Sequence, residues 1–364
     1  MATQSQLEMS EKRPTLCVDV LVHVMTSLCK NGDVVNMMST CRDLHVHGLR
    51  ILLSQPLSLR ASGQRSQEIL AYILADKSRR PRLLRSLEVV TPGSSHGAAL
   101  SEVLRYSTNL RELTLNLKGA SIPEGLSDAI GTLASLRHLF INAGSFTEKI
   151  LAAVHTPLTS LKLVGNRHSA LLDLYTLIAP FADSLQDLNA SNVTIRPFPV
   201  QFPRLHRLSL RIPQHPLCRQ ILSAAFPNAQ SLFLDTKNLA SDVDPLSLIL
   251  EEQDLRSSNR SETRTLWKSL QTVHGDIATL HRLGLESTTQ CLVLDWSPIA
   301  DIDHYAAVFS TLQPRLLAFT SSSCRLVDWK EILEKAPYTT HLHFTNVIRP
   351  PRNGTIPAYV ICFL

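Results

Sequence analysis

Residues 84–141 read LRSLEVVTPGSSHGAALSEVLRYSTNLRELTLNLKGASIPEGLSDAIGTLASLRHLFI. Three apolar triplets of the form L-x-x-L-x-L stand in this stretch: Leu84/Leu87/Val89, Leu110/Leu113/Leu115 and Leu136/Leu139/Ile141. The last two positions of each triplet are two residues apart, so on an extended strand both side chains point to one side. A lone strand of five residues cannot bury that side. A stack of such strands can.

The triplet continues at Leu158/Leu161/Leu163, Leu185/Leu188/Ala190, Leu205/Leu208/Leu210 and Ala229/Leu232/Leu234, with successive starts 26, 26, 22, 27, 20 and 24 residues apart. Leucine-rich repeats have periods of about 20–29 residues. The stretches between the triplets carry helix-like apolar spacing at 98–104, 126–130 and 169–181. Pro180, Pro203 and Pro227 stand ahead of strands, where a helix must stop. The expected fold is therefore α/β: a curved parallel sheet backed by helices, with one continuous core between them.

Beyond residue 235 the register breaks. Residues 236–268 are polar apart from a short apolar run at 246–250, and are expected to form an irregular insertion with an exposed loop at 256–265. The pattern then returns more weakly as Leu270/Val273, Leu292/Leu294, Leu316/Phe319 and Leu342/Phe344, giving eleven strands. Pro56-Leu57-Ser58-Leu59 is a candidate capping strand at the start.

Length and composition agree with a folded chain. The 364 residues suggest roughly two domains, and 44% hydrophobic residues supply a sizeable core. The net charge of +5 is spread along the sequence, whereas nucleic-acid binders concentrate it. The densest basic run, Arg79-Arg80-Pro81-Arg82 with Arg85, reads as a solvated loop before a strand. No nucleic-acid partner is expected. Seven cysteines without a C-x-x-C pair fit a reduced compartment, cytoplasmic or nuclear. Asn192 and Asn353 head chance matches to the glycosylation pattern. No apolar run is long enough for a membrane span, and no membrane contact is expected.

Residues 1–13 form a polar tail, expected to be disordered. Residues 14–54 then hold three short helical stretches. The first, from about Val18 to Leu28, carries an apolar stripe of Leu21, Val24, Met25 and Leu28, with Val20 beside it. Asp33 is the expected N-cap of the second, which carries Val34, Val35, Met37, Met38 and Cys41. The third, about 42–53, presents Leu44, Leu49, Leu52 and Leu53. A unit this small is marginal alone and needs support. Leu49, Leu52 and Leu53 are expected to dock on the first repeats. That leaves a second apolar side, with Leu21, Met25 and Met38, either to receive a partner or simply to cap the solenoid.

Leu16, Asp19-Val20-Leu21, Val24-Met25, Leu28, Asp33-Val34-Val35, Cys41-Arg42 and Leu44 resemble the F-box motif, with Cys17 where that family usually has proline. Residues 50–60 and 266–275 are similar to segments of fungal F-box proteins with degenerate leucine-rich repeats. The resemblance divides the chain into an F-box at 14–54 and a repeat domain at 55–364. It implies a substrate-recognition subunit of a Skp-cullin-F-box ubiquitin ligase. Such a chain performs no bond chemistry and needs no cofactor. Its partners would be a Skp-family adaptor, through it cullin and RING subunits, and an unknown protein substrate. The adaptor-facing residues implied are Leu16, Val20, Leu21, Met25, Leu28, Val34, Val35 and Met38.

Strand residues pointing away from the core should line the concave face. Among them Phe140 and Phe233 are candidate substrate anchors, and Arg207 and Arg211 beside Lys162 a candidate clasp for a phosphorylated peptide. Two other readings remain. One is a repeat scaffold without ubiquitin ligation. The other is an enzyme, using His341 and His343 or His45 and His47 on a metal, or Cys291 as a thiol nucleophile with His274 or His281.

Overall fold

The computed structural model describes residues 17–28, 30–60, 64–90, 96–117, 123–165, 171–212, 219–235, 267, 269–295, 302–321, 329–346 and 360–363. The expected tail at 1–13, Leu16, Asn353 and all of the expected insertion except Trp267 lie outside them.

The chain opens with three helices: α1 (Val18–Ser27), α2 (Asn31–Met38) and α3 (Arg42–Ser54). Helix α2 starts three residues earlier than Asp33 as N-cap would place it. Lys30 is the N-cap, and Asp33 sits within the first turn, where a negative charge still favours the helix dipole. Gly32 thus belongs to α2 and does not end α1. Capping strand β1 (Leu57–Arg60) is present and pairs in parallel with β2 (Ser86–Val90).

Helices α4 (Gln64–Leu74) and α5 (Arg80–Leu83) lie between β1 and β2. Arg80-Pro81-Arg82 of the basic run are therefore helical, with Arg79 as N-cap, and not a loop: Pro81 stands in the first turn, where its missing N–H costs nothing. Arg80 lies 4.0 Å over the Tyr72 ring and donates to the Tyr72 carbonyl at 2.6 Å.

After β2 the order helix, turn, strand recurs: α6 (Gly97–Tyr106), β3 (Glu112–Asn116), α7 (Leu126–Gly131), β4 (His138–Asn142), α8 (Thr147–Ala153) and β5 (Ser160–Val164). The long helix expected over 169–181 is shorter. Leu172–Asp173 forms β6, which pairs with β8 (Val193–Thr194) in a separate two-stranded sheet. Helix α9 (Leu174–Ile178) begins only after Asp173, whose carboxylate accepts from the Tyr175 N–H at 3.2 Å.

The main sheet continues through β7 (Asp187–Ser191) and β9 (Arg207–Arg211), then α10 (Arg219–Ala225), β10 (Ser231–Asp235) and β11 (Ser269–Asp276). Helix α11 (Ile277–Leu283), β12 (Thr288–Asp295), α12 (Ile302–Leu312), β13 (Leu316–Ser321), α13 (Trp329–Glu334) and β14 (His341–Asn346) complete the run, and β15 (Val360–Phe363) closes it. Among the described residues the sheet has 13 strands, in the order β1-β2-β3-β4-β5-β7-β9-β10-β11-β12-β13-β14-β15. Every pairing is parallel except β14 with β15. This is an α/β, solenoid-like fold.

The registers show why the sequence repeats as it does. Leu87, Leu113, Leu139, Leu161, Leu188, Leu208 and Leu232 pair as one row, and Val89, Leu115, Ile141, Leu163, Ala190, Leu210 and Leu234 as another. All are at most 2% exposed. The residue ahead of each main-sheet strand from β2 to β10 accepts backbone bonds from the next repeat, as when Arg111 and Glu112 donate to the Arg85 carbonyl at 2.8 and 3.0 Å. Helices stack on their neighbours behind the sheet, α6 on α7, α7 on α8 and α11 on α12.

The later strands keep this register with altered side chains. Val273 pairs with Leu232, and Gly275 fills the place of Leu234. A Cβ at Gly275 would stand 2.8 Å from the Leu234 carbonyl oxygen, so the backbones approach too closely for any side chain. On β13 the inward pair is Leu317 and Phe319, opposite Leu292 and Leu294. Leu316, expected to face inward, instead pairs with Cys291 on the open face. Trp267 is 3% exposed and donates from Nε1 to the Phe226 carbonyl at 2.7 Å, so the repeat core already resumes inside the stretch read as insertion. Among the described residues no helix is long and apolar enough to cross a membrane.

Candidate functional site

Two surfaces gather the residues singled out by sequence. The first lies on the N-terminal helices. Helix α3 packs against both α1 and α2, and the three share one buried cluster with the sheet. Gly48 sets the geometry. A Cβ there would meet Met38 Cγ at 2.2 Å and Met25 Cε at 2.5 Å, so both methionines lie directly against the α3 backbone. Met25 and Val34 are 0% exposed and Met38 is 7% exposed. These three are core residues and are withdrawn as partner contacts.

The outward apolar residues are different ones. Val20 is 49% exposed, Val24 44% and Val35 51%. Leu21 and Leu28 are half-buried against the core. Val20 and Val24 are one helical turn apart and share a face. Val24 belongs by spacing to the stripe of Leu21, Met25 and Leu28, yet it stands 44% exposed beside the sealed Met25. The signal that separates them is Gly48, a mid-helix glycine marking where the neighbouring side chains must enter. Leu49 and Leu53 are buried and Leu52 half-buried, as expected for the docking side.

The second surface is the face of the sheet opposite the helices. A groove of about 840 Å³ spans β4 to β12, and Phe140, Lys162, Arg207, Arg211 and Phe233 all line it. The register explains their meeting. Phe140, Lys162, Asn189, Ser209, Phe233 and His274 form one row across the strands. Arg207 lies in the row on one side of it and Arg211 in the row on the other.

Both arginines in this groove face a carboxylate. Arg211 Nε lies 2.7 Å from Asp235 Oδ2, and that carboxylate is 8% exposed. Arg207 Nε is 3.7 Å from Asp187 Oδ1, which also faces His206 Nε2 at 3.7 Å. Lys162 Nζ stands 4.8 Å from the Phe140 ring centroid. Phe233 meets His274 edge to face at 4.3 Å, and His274 Nε2 lies 3.2 Å from Asp295 Oδ1. The expected three-cation clasp is thus a set of braced cations and aromatics spread along a trough.

No family model matches the chain, and no curated protein matches it.

The residues offered for catalysis are not brought together. His45 and His47 lie two apart on α3, where side chains diverge by more than half a turn. His341 and His343 share one side of β14, but among the described residues no group of three or more His, Cys, Asp or Glu side chains could hold a metal. Cys291 pairs with Thr272 and Leu316 in the open-face row. Burial pushes its thiol above the ordinary value, the direction opposite to an activated thiolate. His281 is buried on α11 with its ring centroid 4.4 Å from that of His304, while His274 is committed to Asp295.

Proposed function

We propose that the chain is a substrate-recognition subunit of a Skp-cullin-F-box ubiquitin ligase, with residues 14–54 as the F-box and a leucine-rich-repeat solenoid carrying the target. The observation that carries this reading is the apolar trio Val20, Val24 and Val35. Three sizeable side chains stand about half exposed on two adjacent helices, beside a core that Met25, Val34 and Met38 already fill. Burying a large apolar side chain contributes about 1.5–3 kcal/mol, and these are half buried already, so together they offer roughly 2–4 kcal/mol to a partner. The resemblance to the F-box names that partner as a Skp-family adaptor, and through it the cullin and RING subunits. The groove across β4–β12 would hold a target protein, raising its local concentration near the charged enzyme. The place of action would be the cytoplasm or nucleus.

A competing reading is a repeat scaffold whose first helices merely cap the core. It is favoured by the burial of Met25, Val34 and Met38 in the same cluster as the sheet. Co-purification decides between them. The wild-type chain, co-expressed with a Skp-family adaptor, should retain it through size exclusion. The Val20→Asp/Val24→Asp/Val35→Asp variant should lose it, by more than about 100-fold in affinity, while keeping its circular dichroism melt. A wild-type chain that folds but leaves the adaptor unbound contradicts the ligase reading and favours the scaffold.

A further inference from the structure

We infer that the groove across β4–β12 binds an extended peptide with acidic residues at its centre and an apolar side chain near each end. This rests on the target-binding role proposed for the groove, but not on ubiquitin ligation. The aromatic residues set the length and direction. Phe140 and Phe233 occupy the same row four strand steps apart. At 4.7–4.9 Å per strand they stand about 19 Å apart. Both are half-buried and both face away from the core, so neither contributes to the packing behind the sheet. Each is held from one side, Phe140 by Lys162 and Phe233 by His274, leaving the rest of each ring to the groove. A segment running across the strands covers 19 Å with about six extended residues.

Between the two rings the floor is Asn189 and Ser209, short polar side chains that leave room above them. The charge around that floor is positive. Lys162, Arg207 and Arg211 stand there against two carboxylates, Asp187 and the buried Asp235, so the cations are in excess by one. In each arginine it is Nε that faces the carboxylate. The 2.7 Å bond to Asp235 braces Arg211, whereas Arg207 stands 3.7 Å from Asp187 with its side chain 69% exposed, so the outer nitrogens of the two guanidiniums are the groups a ligand in the groove would meet.

The spread of these cations selects the anion. Arg207 and Arg211 are four residues apart on β9, about 13 Å along the strand, and flank the row on opposite sides. A single phosphate fits one fork. Several carboxylates along a chain fit the whole arrangement. The partner chemistry is therefore an acidic peptide with apolar ends.

The test uses the purified full chain, without adaptor, and fluorescein-labelled heptapeptides read by anisotropy. Leu-Gly-Asp-Glu-Asp-Gly-Leu should bind at least tenfold tighter than Leu-Gly-Asn-Gln-Asn-Gly-Leu. Its affinity should fall as salt rises from 50 to 500 mM. Replacing both leucines by glycine should weaken it about tenfold, as should Phe140→Ala/Phe233→Ala. Lys162→Gln/Arg207→Gln, which leaves the Arg211–Asp235 pair intact, should weaken it at least tenfold with an unchanged melt. Equal binding of the neutral peptide, no saturable binding by any peptide, or wild-type affinity in the Lys162/Arg207 variant overturns the proposal. A neutral heptapeptide carrying one central phosphoserine that binds more tightly than the tri-acidic one also overturns it and assigns a phosphopeptide instead. Because the adaptor is absent, adaptor capture lost with peptide binding kept counts against the ligase reading alone.

Discussion

Along β4, His138, Phe140 and Asn142 face one way while Leu139 and Ile141 face the other, and the same alternation holds from β2 to β10. Along α1 the sides are less cleanly divided. Val24 is 44% exposed, and Met25, the next residue, is sealed at 0%. Both regions are rich in aliphatic side chains. On the strands inside and outside alternate with a period of two, and polar residues mark the outside. On α1 the apolar residues Val18, Val20, Leu21, Val22, Val24 and Met25 run almost all round, so the helix itself does not declare its buried side. The choice is made by α3, where Gly48 opens a socket for Met25 and Met38. A repeating sheet is specified locally, while a small helical unit is specified by one close contact.

That contrast can be broken first at the cores. Leu161→Ala in the sheet and Met25→Ala in the helices should each cost about 2–5 kcal/mol in chemical denaturation. Leu161→Ala should lower the stability of the repeats, and Met25→Ala should act on the three helices α1 to α3, read by hydrogen exchange. Equal loss of protection everywhere in both variants would show that the two regions have no separate identity.

A second probe asks whether the later repeats depend on backbone approach where the earlier ones depend on leucine. Gly275→Ala places a Cβ 2.8 Å from the Leu234 carbonyl oxygen and should cost about 1–3 kcal/mol. An unchanged melt would refute that close approach. A smaller effect is expected at Asp276, whose carboxylate accepts from the Thr279 N–H at 2.9 Å and caps α11. Asp276→Ala should cost about 1 kcal/mol, and Asp276→Asn much less. The smallest effect belongs to the exposed valines. Val20→Asn or Val24→Asn should shift stability by no more than about 0.5 kcal/mol, against several for Met25. A large loss at Val24 would place it in the core after all.

Most of the sheet was legible because its signal is redundant. Seven regular triplets announce the row of leucines, and the same alternation puts Phe140, Lys162, Arg207, Arg211 and Phe233 on one face. Parallel registry then brings them into one groove without any further information. The later strands were harder for a physical reason. Gly275 replaces a leucine, and Thr289 and Pro314 stand where earlier repeats begin with leucine, so the apolar pattern thins while the backbone ladder persists. At β13 two adjacent leucines, Leu316 and Leu317, left the pleat ambiguous, and only pairing with β12 resolves it. The ion pairs of the groove were not legible, because Arg211 and Asp235 are 24 residues apart and meet only through the register of β9 and β10. In the helices, three of the residues expected to meet a partner are core, and the one outward valine that was missed sits beside them in sequence.

The most direct measurement is hydrogen–deuterium exchange of the full chain with and without a Skp-family adaptor. The account predicts new protection confined to α1 and α2, around Val20, Val24 and Val35, with the sheet unchanged. Protection absent from residues 18–38, or appearing on the strands instead, would contradict it.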